Sequence, residues 1–170
     1  MKTIELHENG LDIQFRIREN GVVELADFSS QGVKKAAMEP KEDIYYPAVE
    51  IHRSGTGSLN MHAYKNNINQ SSVDFVYENH ELKEQEGGKE LEIVMVSPEK
   101  LKAVYHMRLF DGIPAVQTWT EITNEGSEDQ GLTHVSSFIY QGISRGGEKP
   151  YYKKTDIYVP FNSWCCEAQW

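Results

Sequence analysis

Apolar and polar residues alternate along much of this chain. Ile13, Phe15 and Ile17 alternate with Gln14, Arg16 and Arg18. Ala103, Tyr105, Met107 and Leu109 alternate with Lys102, His106 and Arg108. A period of two predicts strands with one buried face. Five β-rich runs follow one another in the second half: SVDFVYENHELKEQ, KELEIVMVS, LKAVYHMRLFDG, PAVQTWTEITNEG and LTHVSSFIYQG. Turn signals separate them at Glu86-Gly87-Gly88, Ser97-Pro98, Asp111-Gly112 and Asn124-Glu125-Gly126. Near the N-terminus, Asn9-Gly10 and Asn20-Gly21 each suit a type I′ hairpin turn. No stretch holds a 3.6-residue period. Short strands with frequent turn signals predict an all-β sandwich.

Two stretches break the pattern. Residues 29–47 are polar and irregular, with one short helical turn expected from Val33 to Met38 before Pro40. PAVEIH (47–52) returns to strand, and 53–72 is a Gly-, Ser- and Asn-rich excursion with brief pairing expected around Met61 to Tyr64. Long ordered loops on a β scaffold commonly hold binding residues.

Composition narrows the partners. The 170 residues suit one domain of ordinary size, and 39% hydrophobic content with nine tyrosines, six phenylalanines and three tryptophans supports a packed core. A net charge of −9 and the lack of a basic stripe argue against nucleic acid. No run approaches about 18 apolar residues, so no membrane-spanning helix is expected. MKTIELHENG lacks the apolar run of a signal peptide. Cys165 and Cys166 are adjacent, which reads as two reduced thiols in a cytoplasmic protein.

Motifs for thiol or zinc chemistry are missing. Six histidines are present, none in a recognisable pairing with either cysteine. There is no Cys-x-x-Cys or His-Glu-x-x-His spacing, and no metal or organic cofactor is expected. Glu121 lies two residues from Trp119 on one strand face, and Glu167 lies between Trp164 and Trp170. A carboxylate beside an indole can hold a sugar, the ring stacking on its C–H face and the acid accepting from hydroxyls. The alternative is a solvated strand face for Glu121, and core or interface packing for the tryptophans.

Three segments taken together carry a resemblance. They are LFDGIPAVQTWTEITNEGSE (109–128), HVSSFIYQGI (134–143) and VPFNSWCCEAQW (159–170), with PAVEIHRSG (47–55) ahead of them. The chain resembles the N-terminal domain of glycoside hydrolase family 36, the bacterial α-galactosidases. The resemblance implies a β-supersandwich of the galactose mutarotase-like kind, with two packed, mainly antiparallel sheets spanning 1–170. It also implies that catalysis lies in a (β/α)8 barrel after this domain. That family's nucleophile is an aspartate in a Lys-Trp-Asp motif, which is absent here. No catalytic residue is therefore expected in this chain. The parent would hydrolyse terminal α-galactosides with retention.

The resemblance further implies roles for particular residues. The 52–66 excursion, with His52, Arg53, His62 and Tyr64, would narrow the substrate entrance in an oligomer. Trp164, Cys165, Cys166, Glu167 and Trp170 would face the barrel. Two rivals stay open: a stand-alone carbohydrate-binding module, and a mutarotase-like enzyme using His62, His106 and Glu121.

Overall fold

The structure is a computed structural model that describes residues 1–31, 45–57, 69–140, 161–163 and 166–169. The helical turn expected at Val33–Met38 and the pairing expected at Met61–Tyr64 lie outside the described residues.

The first sheet is an antiparallel meander of β1 (Lys2–Glu8), β2 (Leu11–Ile17) and β3 (Val23–Ser30). Asn9 and Gly10 take φ of 52° and 83°, as the expected type I′ turn requires. The second turn differs from expectation. Arg18 N–H donates to the Val22 carbonyl and Gly21 N–H to that of Arg18, and of the loop residues only Gly21 has a positive φ, 87°. This is a three-residue loop closed by a glycine bulge, not a second type I′ turn. Asn20 uses its side-chain oxygen to accept from Val22 N–H at 3.4 Å.

Between Gln14 and Phe15 the pairing with β3 shifts by one residue, from Asp27 to Leu25. Ala26 is the extra residue. The bulge lets Val23 and Leu25 on one side of it, and Phe28 on the other, all pack on the core.

The second sheet is a longer meander: β5 (Val76–Gln85), β6 (Gly88–Val96), β7 (Leu101–Phe110) and β8 (Ile113–Asn124). Leu91, Ile93 and Met95 of β6 and Leu101, Ala103, Tyr105, Met107 and Leu109 of β7 are buried in one cluster with Ile4, Leu6, Ile13, Phe15 and Ile17. The sheets therefore pack face to face. Phe15 meets Tyr105 edge-on at 5.7 Å between ring centroids, a favourable aromatic geometry. The expected all-β sandwich is what the chain builds.

The layers are also joined at their rims. Asn9 Oδ1 accepts from Gly112 N–H at 2.9 Å, tying the β1–β2 turn to the β7–β8 turn. Lys89 Nζ lies 2.7 Å from Glu8. Val22 bridges Val76, and Tyr77 N–H donates to the Gly21 carbonyl.

A small third sheet pairs β4 (Ile51–Arg53) with β9 (Leu132–Val135). Both strands are shorter than the sequence pattern suggests. Pro47 makes only a single bridge to Glu24, and past Val135 the β4–β9 pairing ends with the bond from Ser136 N–H to the Glu50 carbonyl. A one-turn helix, α1 (Gln70–Val73), is capped by Asn69, whose side chain accepts from Ser71 N–H. In a second compact unit, β10 (Phe161–Ser163) pairs antiparallel with β11 (Cys166–Gln169).

Candidate functional site

Among the described residues, two places bring chemistry-bearing residues together, and sheet register contributes to both. The first lies at β4. His52 is partly buried, its Nε2 3.5 Å from the Glu50 carboxylate and its ring 5.0 Å from that of His134 on the paired strand. Glu50 is almost fully buried and accepts from Ser72 Oγ at 2.7 Å. Arg53 points its guanidinium at two carboxylates, Asp74 at 3.1 Å and Glu99 at 2.6 Å. Burial opposes charge on Glu99. Its own backbone N–H, Arg53 and Ser97 overcome that and hold its pKa below the ordinary 4.5. Arg53 is thus committed to joining β4 to α1 and to the 97–101 turn. His62 and Tyr64 lie outside the described residues.

The second place is the outer face of the four-stranded sheet. In β6 and β7 the even-numbered residues point away from the core, and in β8 the odd-numbered ones do. Register sets Glu92 opposite His106, His106 opposite Trp119, and Val104 opposite Glu121. Trp119 and Glu121 do share a face, as their spacing predicts.

This face is not simply solvated. His106 and Glu90 are nearly buried on it. The Trp119 indole lies flat on the His106 ring, 4.6 Å between centroids with 4° between planes. His106 Nδ1 sits 2.8 Å from Glu90 Oε1 and 3.9 Å from Glu92 Oε1, and its Nε2 sits 3.8 Å from Glu121 Oε1. That Nε2 is buried and makes no hydrogen bond. The remaining carboxylate oxygens are held from β5: Gln85 Nε2 reaches Glu90 Oε2 at 2.6 Å, and Lys83 Nζ reaches Glu92 Oε2 at 2.6 Å. Lys83 is correspondingly pushed above its ordinary pKa, first by that hydrogen bond.

Sequence spacing finds Trp119 with Glu121, and it offers His106 with Glu121. It misses Glu90 and Glu92. The alternation in KELEIVMV was a signal that both face outward; their meeting with His106 needed the β6–β7 register. Cys166 and Glu167 fall in β11, and Trp164, Cys165 and Trp170 lie outside the described residues.

No known protein family and no curated protein matches the chain. Solved structures do. The chain is similar to the GH36 α-galactosidase AgaA of Geobacillus stearothermophilus, with 12% identity over 77% of this chain and a TM-score of 0.54. The fold is that of a region of an α-galactosidase. Two variants of the same enzyme, one complexed with raffinose and one with 1-deoxygalactonojirimycin, match with TM-scores of 0.52 at the same 12% identity and 77% coverage of this chain. The chain spans only 23% of the length of these enzymes. The fold expected from the resemblance is thereby borne out. No helix among the described residues is long and apolar enough to cross a membrane.

Proposed function

We propose that this chain is the non-catalytic N-terminal β-sandwich of a cytoplasmic glycoside hydrolase that cleaves terminal α-galactosides. The observation that carries the reading is the overlay of 77% of this chain on 23% of an α-galactosidase. In this reading a (β/α)8 barrel follows residue 170 and holds both catalytic carboxylates. The sandwich supports the barrel, takes part in homo-oligomer contacts and shapes the substrate entrance. Trp164, Cys165, Cys166, Glu167 and Trp170 face the barrel. His52, His62 and Tyr64 border the entrance, and Arg53 anchors their loop through Asp74 and Glu99.

The test combines mass with activity. The native gene product is purified from its source cells, and hydrolysis of p-nitrophenyl α-galactopyranoside is assayed beside that of residues 1–170 alone. The expected product is several times heavier than 19.5 kDa and active, with the isolated chain inert. A native product of 19.5 kDa would overturn the reading.

The half-buried Trp119 beside exposed Glu121 favours a second reading, a stand-alone carbohydrate-binding module. Glycan binding by the isolated chain that disappears in Trp119→Ala would establish it.

A further inference from the structure

The two carboxylates beside His106 Nδ1 are arranged for more than an ion pair. Each turns one oxygen toward His106 Nδ1 and has the other oxygen held by a β5 side chain, Gln85 for Glu90 and Lys83 for Glu92. Outer partners of this kind orient the ligands of metal sites. One donor atom from each of Glu90, Glu92 and His106 lies within 4.8 Å of the other two. Two donors about 2.1 Å from a tetrahedral ion lie about 3.4 Å apart. That value falls between the 2.8 Å and 3.9 Å separating Nδ1 from the two oxygens.

A second observation comes from the far side of the ring. The His106 side chain is only 9% exposed, and its Nε2 is a buried polar atom with no hydrogen-bond partner. Such an atom is costly. In the tautomer with Nδ1–H donating to Glu90, Nε2 carries no proton and faces the Glu121 carboxylate. A cation at Nδ1 moves the ring proton to Nε2, which then donates to Glu121. Glu121 is 65% exposed and free to close the 3.8 Å gap. The result is a carboxylate–histidine–metal relay, the arrangement typical of histidine ligands.

We propose that Glu90, Glu92 and His106 form a binding site for a divalent transition-metal ion, Zn²⁺ by ligand preference, on the outer face of the four-stranded sheet. Imidazole and carboxylate donors suit Zn²⁺, and three protein donors leave one position open. All three ligands stand on adjacent strands, and the Trp119 indole fixes the ring plane. The site is independent of the glycosidase reading, since it uses no residue of the 52–66 loop.

The test titrates Zn²⁺ into the full chain against a chromophoric chelator. Cys165→Ser and Cys166→Ser are present throughout to remove the thiols. Histidine ¹⁵N and ¹³C shifts are read in the same samples. Saturable binding of one ion is expected, with His106 Nδ1 taking a metal-bound shift and Nε2 becoming protonated. Glu92→Gln, at a partly exposed position outside the hydrophobic core, is expected to weaken binding about tenfold or more. His106→Gln is expected to abolish it. Absence of saturable binding below about 1 mM overturns the proposal. So does binding of undiminished strength in Glu92→Gln, or a metal shift at His7 or His134 in place of His106.

Discussion

His7 and His80 stand on different sheets and are pushed in opposite directions. His7 is held above its ordinary 6.5, first by its hydrogen bond to Asp12 at 2.7 Å. Its stabilising share is therefore present below pH 6.5 and lost as pH rises through the raised folded value. His80 is lowered, first by burial and then by the Lys2 charge. The unfolded chain takes up that proton first, so stability falls as pH drops below 6.5. Imidazole proton shifts, assigned with His7→Gln and His80→Gln, should place the His80 midpoint on the acid side of that of His7. The reverse order would contradict both assignments. Core and ion-pair residues carry larger effects. Phe15→Ala empties a fully buried site and should cost about 3–5 kcal/mol in urea unfolding. Arg53→Met strips two carboxylates of a charged partner. They keep some access to water, so the expected loss is smaller, about 1.5–3 kcal/mol.

At the scale of strands and turns, the β2–β3 loop offers a sharp test. A Cβ on Gly21 would stand 2.8 Å from Val76 Cβ, and the residue already holds a left-handed φ. Gly21→Ala should therefore destabilise by about 1–3 kcal/mol, whereas Asn20→Ala should cost well under 1 kcal/mol. Equal effects would mean that Asn20 and Gly21 act as one type I′ unit after all. Alternation made the strands of both sheets legible, because a half-buried strand must repeat every two residues. It did not make the outer faces legible. Arg16 and Arg18 read as solvated positions, yet both pair with Glu24, whose side chain is 0% exposed. His106 reads the same way and is also buried. Burial on an outer face depends on which cross-strand neighbours lie over a residue, and linear spacing does not encode that. The bulge at Ala26 and the one-turn helix at Gln70–Val73 escaped notice for a related reason: each is a local break in a pattern too short to establish itself.

For the molecule as a whole, the resemblance reached the fold of the larger enzymes, while Glu90 and Glu92 joined the cluster on the outer sheet face only through the β6–β7 register. The site residues of the 52–66 loop were half legible. His52 and Arg53 have definite partners, and those of Arg53 are structural. The connection of the Asn9 side chain to Gly112 reaches across 103 residues of chain. On a ribosome adding about 5–20 residues per second, roughly 5–20 seconds separate the synthesis of those two residues. For most of that interval the first three strands exist without the complete four-stranded sheet that covers Phe15 and its neighbours. A newly made N-terminal meander must wait with its apolar face open, which makes the growing chain a client for whatever shields nascent polypeptides at the exit tunnel.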